Sequence, residues 1–108
     1  MKELGSVKFG EVIIKIISNS EILTVAELHF PSGVSAEVHQ HINEEVNYVV
    51  KGTFETIHKG ETVLLKQGDV LQVNSNLKHN LKCTSTENGI IVTAWAPSRK
   101  DLIAMLDI

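Results

Sequence analysis

Short runs rich in Val, Ile, Thr and Leu recur along the whole chain, and each is closed by glycine, proline or asparagine. The runs cover residues 7–18, 22–30, 36–41, 46–51, 53–58, 61–66, 70–73, 79–84 and 90–95. Such residues suit a pleated, half-buried surface. The breaks carry turn chemistry: Asn19-Ser20, Pro31-Ser32-Gly33, Lys59-Gly60, Gln67-Gly68-Asp69 and Glu87-Asn88-Gly89. His58-Lys59-Gly60-Glu61 predicts a tight hairpin. About nine strands with turns roughly every 8–12 residues predict an all-β sandwich or barrel. No helical pattern separates the strands, which excludes alternating strand–helix folds. One short helix is expected at the C-terminal end. Ser98 is its expected cap, Asp101 sits in its first turn, and Leu102, Ile103 and Leu106 form its apolar stripe.

The 108 residues are expected to form one domain over residues 1–108. With 43% apolar and 21% charged residues, disorder is excluded. A net charge of −3 leaves no basic face, so no nucleic-acid partner is expected. No apolar run is long enough for a membrane helix. Lys15 cuts the first apolar stretch, and Glu3 and Glu11 precede it, so no signal peptide is expected. The single cysteine, Cys83, excludes an internal disulfide and a cysteine-rich zinc site. A cytoplasmic location is the expectation that follows.

Three of the five histidines carry chemistry. His39 and His41 are two apart on a strand, so both project from one face. Glu45 follows four residues after His41, and His79 lies on a distant strand behind a turn. Three imidazoles and one carboxylate can hold one divalent metal. A bare H-x-H pair is more often a surface pair; here the surrounding spacing is far more specific. Gly33, five residues, His39-x-His41, three residues, Glu45, six residues and Gly52 form one string.

That string resembles the first signature motif of the cupin superfamily at every defining position. The second signature is matched at Gly68 and, after Asp69-Val70-Leu71-Gln72-Val73 and the Asn74-Ser75-Asn76 turn, at His79. Asn74 and Asn76 replace the usual proline and glycine, and Cys83 replaces a terminal asparagine. Asparagine tolerates left-handed geometry, so the turn can survive. The resemblance covers residues 20–100 and implies a double-stranded β-helix, a jelly-roll barrel with a metal inside. It implies His39, His41, Glu45 and His79 as ligands of one divalent transition metal: Fe, Mn, Ni, Co or Zn.

Alternation along the strands points Asn47 and Val49 inward with Glu45, and Tyr48 outward. It points Leu81 and Cys83 inward with His79. Asn47 is a candidate for orienting a substrate hydroxyl. The segment from Ile91 to Leu102, with Trp95, Pro97, Arg99 and Asp101, is similar to the end of small cupins from pectin degradation. That resemblance implies ketonization of an unsaturated monouronate, with Arg99 pairing with the carboxylate, Trp95 stacking on the sugar ring, and Thr93 standing where those proteins carry an aspartate. The expectation is thus a metal-dependent cupin acting on a sugar acid or related carbonyl compound by isomerization or tautomerization. A metal-dependent dioxygenase and a non-catalytic sugar-binding module are the alternatives. A homodimer is expected in each case, with residues 12–17 as the candidate exchanged strand, an aggregation hazard were it left as a lone edge.

Overall fold

The computed structural model describes residues 2–39 and 41–106 and, for residues 37–39, the backbone alone. Among them are ten strands: β1 (Gly5–Phe9), β2 (Val12–Asn19), β3 (Thr24–Phe30), β4 (Ser35–His39), β5 (Glu44–Lys51), β6 (Phe54–His58), β7 (Glu61–Leu65), β8 (Val70–Val73), β9 (His79–Cys83) and β10 (Gly89–Ala96). One helix, α1 (Lys100–Ala104), follows. The all-β expectation holds.

The strands form a six-stranded sheet, β1-β2-β3-β10-β5-β8, and a four-stranded sheet, β4-β9-β6-β7. Among the described residues, the paired strands run antiparallel. Sequence neighbours often lie in different sheets, while β10 is inserted between β3 and β5. This crossing-over is the jelly-roll arrangement. The inward positions supply the core: Ile16, Ala26, Phe30, Val49, Phe54, Val73 and Ile91 are fully buried. Each buried aliphatic or aromatic side chain contributes roughly 1.5–3 kcal/mol.

Three local expectations can be compared with the structure. The run at residues 7–18 is two strands, because Gly10 at φ 61° reverses the chain and pairs Phe9 with Val12. Residues 12–17 therefore lie in β2, flanked by β1 and β3, and are not a lone edge. The hairpin at residues 58–61 forms as expected: Lys59 and Gly60 take φ 52° and 80°, and His58 pairs with Glu61. Two successive positive φ values match the right-handed twist of the strands they join. Asn76 takes φ 62°, so asparagine does sustain the turn before His79.

The expected cap of α1 is corrected. Arg99, not Ser98, occupies the N-cap position, with no side-chain cap bond. Ser98 is buried, and its carbonyl accepts a bond from the Asn43 amide at 3.3 Å. The Arg99 amide instead donates to Thr24 Oγ1 at 2.8 Å, fixing where the helix starts against β3.

Candidate metal centre

Strand β5 alternates strictly, with Glu45, Asn47 and Val49 buried and Val46, Tyr48 and Val50 exposed. Strand β9 buries His79, Leu81 and Cys83. Both patterns follow the period of two expected for these strands. Two inward faces from opposite sheets thereby meet inside the barrel.

His41, Glu45 and His79 converge there, with one donor atom from each within 4.8 Å of the others. His41 Nε2 lies 3.1 Å from Glu45 Oε1. His79 Nε2 lies 3.2 Å from both carboxylate oxygens. The two rings meet edge to face, 5.0 Å between centroids. His39 stands opposite His79 in the β4–β9 ladder, and its side chain lies outside the described residues.

The remaining ring nitrogens are pinned. His41 Nδ1 is 3.0 Å from the Asn43 carbonyl, and His79 Nδ1 is 2.9 Å from the Leu77 carbonyl. A carbonyl only accepts, so each Nδ1 carries the proton and each Nε2 faces the cluster. Metal-bound imidazoles are held in this way. Donors about 3 Å apart are also the spacing that neighbouring ligands subtend around one ion at roughly 2.1 Å. The residues present fit a divalent metal.

Electrostatics agree. Burial alone would raise the Glu45 carboxyl, but hydrogen bonds from His41 and His79 outweigh it and hold the group well below the usual carboxylate range. Burial alone would lower His79, yet the bond and charge of Glu45 raise it above its ordinary value. A metal ion and a proton compete for the same Nε2 and carboxylate lone pairs.

Glu45 is held by Trp95 and Asn47. Trp95 pairs with Glu45 across β10–β5, and its Nε1–H donates to Glu45 Oε1 at 2.7 Å. Asn47 Nδ2 donates to Glu45 Oε2 at 2.7 Å and lies 3.4 Å from the Leu71 carbonyl. Thr93, the ladder partner of Asn47, donates to its Oδ1 at 2.8 Å. All four residues are buried. In the sequence, Glu45 stood out as a candidate ligand, Asn47 as its inward-facing neighbour, and Trp95 and Thr93 through the resemblance of their segment; register alone joins them.

Arg99 lies over the Trp95 ring, with its guanidinium carbon 4.9 Å from the centroid. Its side chain is only 12% exposed, and its fork holds Asp101 through two bonds, 2.9 Å from Nε and 2.8 Å from Nη2. That fork pulls the Asp101 carboxyl below its usual range. Asn43 was missed in the sequence. It is buried, and its amide donates to the Pro97 carbonyl at 2.5 Å, tying the metal-ligand loop to the segment that carries Arg99. Its type and place before Glu45 were visible, but a partner 54 positions away was not. His29 stands apart from the cluster, with Nε2 2.7 Å from Glu27.

A cavity of about 240 Å³ borders His41, Glu45, Asn47, His79, Trp95, Arg99 and Asp101. Groups that could hold a metal and a guanidinium fork thus share one concave site.

The Cupin_2 family model, described as a cupin domain, matches residues 26–95. The chain belongs to the cupin family. Cupin relatives agree in sequence and in fold. The pectin degradation protein KdgF of Dickeya dadantii is 31% identical over 90 residues, covering 82% of this chain and 81% of that protein. The structure of KdgF from a Halomonas species superimposes with a TM-score of 0.82 at 23% identity, covering 89% of this chain and 90% of that one. An RmlC-like cupin from Shewanella frigidimarina superimposes with a TM-score of 0.79 at 25% identity, covering 94% and 98%. Among the described residues of this cupin, no helix is long and apolar enough to cross a membrane.

Proposed function

We propose that this cupin is a metal-dependent enzyme that isomerizes or tautomerizes a sugar acid or a related carbonyl compound. The observation that carries the reading is the convergence of His41, Glu45 and His79 on the cavity that Arg99 also borders. The similarity to a pectin degradation protein favours an acidic carbohydrate product as the first substrate to test.

His41, Glu45 and His79, with His39 as the fourth, would hold the ion. A bound divalent metal supplies Lewis acidity toward a carbonyl or hydroxyl oxygen. Arg99 pairs with the substrate carboxylate through its planar fork, as it now does with Asp101. Trp95 and Asn47 keep the Glu45 carboxylate oriented from opposite sides. The Thr93 hydroxyl is committed to Asn47 and is a poor general base at neutral pH. Thr93 is therefore assigned to support rather than to proton transfer.

The test begins with metal content, by mass spectrometry on untagged protein purified without added metal, for the native chain and for His41→Ala and His79→Ala. Near-stoichiometric metal in the native chain and its loss in both variants is the expected result. Turnover of a 4,5-unsaturated monouronate, abolished by Arg99→Ala, is the expected second result. A native chain without metal even after reconstitution would overturn the enzyme reading. Iron together with oxygen uptake would redirect it to a dioxygenase.

A further inference from the structure

The cavity beside the candidate metal cluster has a lining of two kinds. It includes the polar groups of His41, Glu45, His79, Arg99 and the exposed Asp101. It also includes Val12 and Ile14 of β2, Leu28 and Phe30 of β3, and Leu81 of β9, all buried. These five side chains offer no hydrogen-bonding atom.

Trp95 and Asn47, which also line the cavity, are already engaged. The Trp95 N–H is held by Glu45. The Asn47 amide nitrogen serves Glu45 and the Leu71 carbonyl, and its oxygen accepts from Thr93. Among the described residues, the apolar part of the lining therefore has no donor to offer a ligand hydroxyl. A hydroxyl buried there loses its water without replacement, which weakens binding roughly five- to hundredfold. An aliphatic carbon placed there gains roughly fourfold per methylene. The volume of about 240 Å³ also lies below the range of about 300–1,000 Å³ typical of drug-sized pockets.

We propose that this pocket selects a small oxo or hydroxy acid with a compact apolar tail, in preference to a fully hydroxylated sugar acid. Its carboxylate takes the Arg99 fork, its oxo or hydroxy oxygen lies at the metal cluster, and its tail packs on the apolar lining from β2, β3 and β9. The inference rests on the metal-site reading above and, within its class of acids and carbonyl compounds, ranks the compact apolar acid above the monouronate as substrate.

The test is calorimetric titration of the full chain, loaded with the divalent metal it retains on purification. Three ligands share one 2-hydroxycarboxylate head: glycolate, 2-hydroxy-3-methylbutanoate and 2,3,4-trihydroxybutanoate. The branched acid is expected to bind at least tenfold tighter than glycolate, from its three added carbons at roughly fourfold each. The trihydroxy acid is expected to bind no tighter than glycolate. Equal binding of the two longer acids, or tighter binding of the trihydroxy acid, would overturn the inference and leave the metal-site reading intact. Binding of none of the three, glycolate included, would overturn both.

Discussion

The Thr93 hydroxyl donates to Asn47 Oδ1 at 2.8 Å and holds that amide oxygen in place. The Glu45 carboxylate only accepts, so the amide turns its nitrogen to Glu45 Oε2 and its oxygen to Thr93. The two residues are direct partners in the β10–β5 ladder, both turned into the barrel. A hydroxyl on one strand thereby supports, through Asn47, a carboxylate of the candidate metal cluster on its neighbour.

Thr93→Val keeps the shape and removes the donor. It leaves a buried amide oxygen without its partner, at an expected loss of about 1–3 kcal/mol in urea unfolding. Metal affinity, read by competition with a chelator, is expected to fall about tenfold or more. Thr93→Ser should restore both. Unchanged affinity in Thr93→Val would show that Glu45 does not need this support.

Trp95→Phe removes the indole N–H from Glu45 Oε1 while keeping most of the buried ring. Metal affinity should drop by about 10–100-fold, the usual effect of losing a group that orients a metal ligand. The accompanying loss of stability should stay near 1 kcal/mol, the net worth of a hydrogen bond. A large stability loss with unchanged affinity would assign Trp95 to packing alone.

Asp101→Asn probes the Arg99 fork. The Asp101 side chain is 64% exposed, so it can leave for water at little cost. An acidic ligand must displace it from Arg99, and the variant should bind carboxylates more tightly than the native chain. The pH dependence follows from the lowered carboxyl. Its stabilisation is fully present above the ordinary value of 3.8 and is lost as pH falls through the folded value below it. The difference in urea midpoint between native protein and variant should therefore be constant at neutral pH and close below pH 3.8. A gap that persists in acid would mean that Asp101 acts through something other than its charge.

Gly89→Ala tests the join between the two sheets. A methyl group there would collide with the Phe54 ring and approach Cys83 Sγ to 3.1 Å. Overpacking of this kind costs about 1–3 kcal/mol. Thermal unfolding of the variant should show it, with metal content unchanged. A native melting temperature would mean that Phe54 moves aside freely.

Much of this architecture was legible in the chain. Strand β5 declared its inward residues because side-chain direction in a strand has period two, and Glu45, Asn47 and Val49 obey it. Lys59-Gly60 declared its hairpin because two positive φ values admit few residue types. The spacing of His39, His41, Glu45 and His79 pointed to a metal, and the described members of that set do meet. The break at Gly10 was harder to see, because β-branched residues run on soon after it and a lone glycine also fits within a strand. The start of α1 was misplaced by one residue, because its first free amide is met by Thr24, 75 positions away, rather than by a neighbouring serine.

Local chemistry thus settles strand, turn and facing, since these depend on dihedral preferences and on the alternation of polar and apolar side chains over a few residues. Partnership is decided elsewhere. Trp95 reaches Glu45, and Thr93 reaches Asn47, because β10 lies beside β5 in one particular register. A shift of β10 by one residue would turn Trp95 and Thr93 to the other face. That register is chosen by burying the inner faces of both sheets together, a free energy shared over the whole barrel and written in no single segment. The candidate metal-ligand spacing belongs to the sequence, while the support around Glu45 and the apolar lining of the cavity exist only once the sheets have closed.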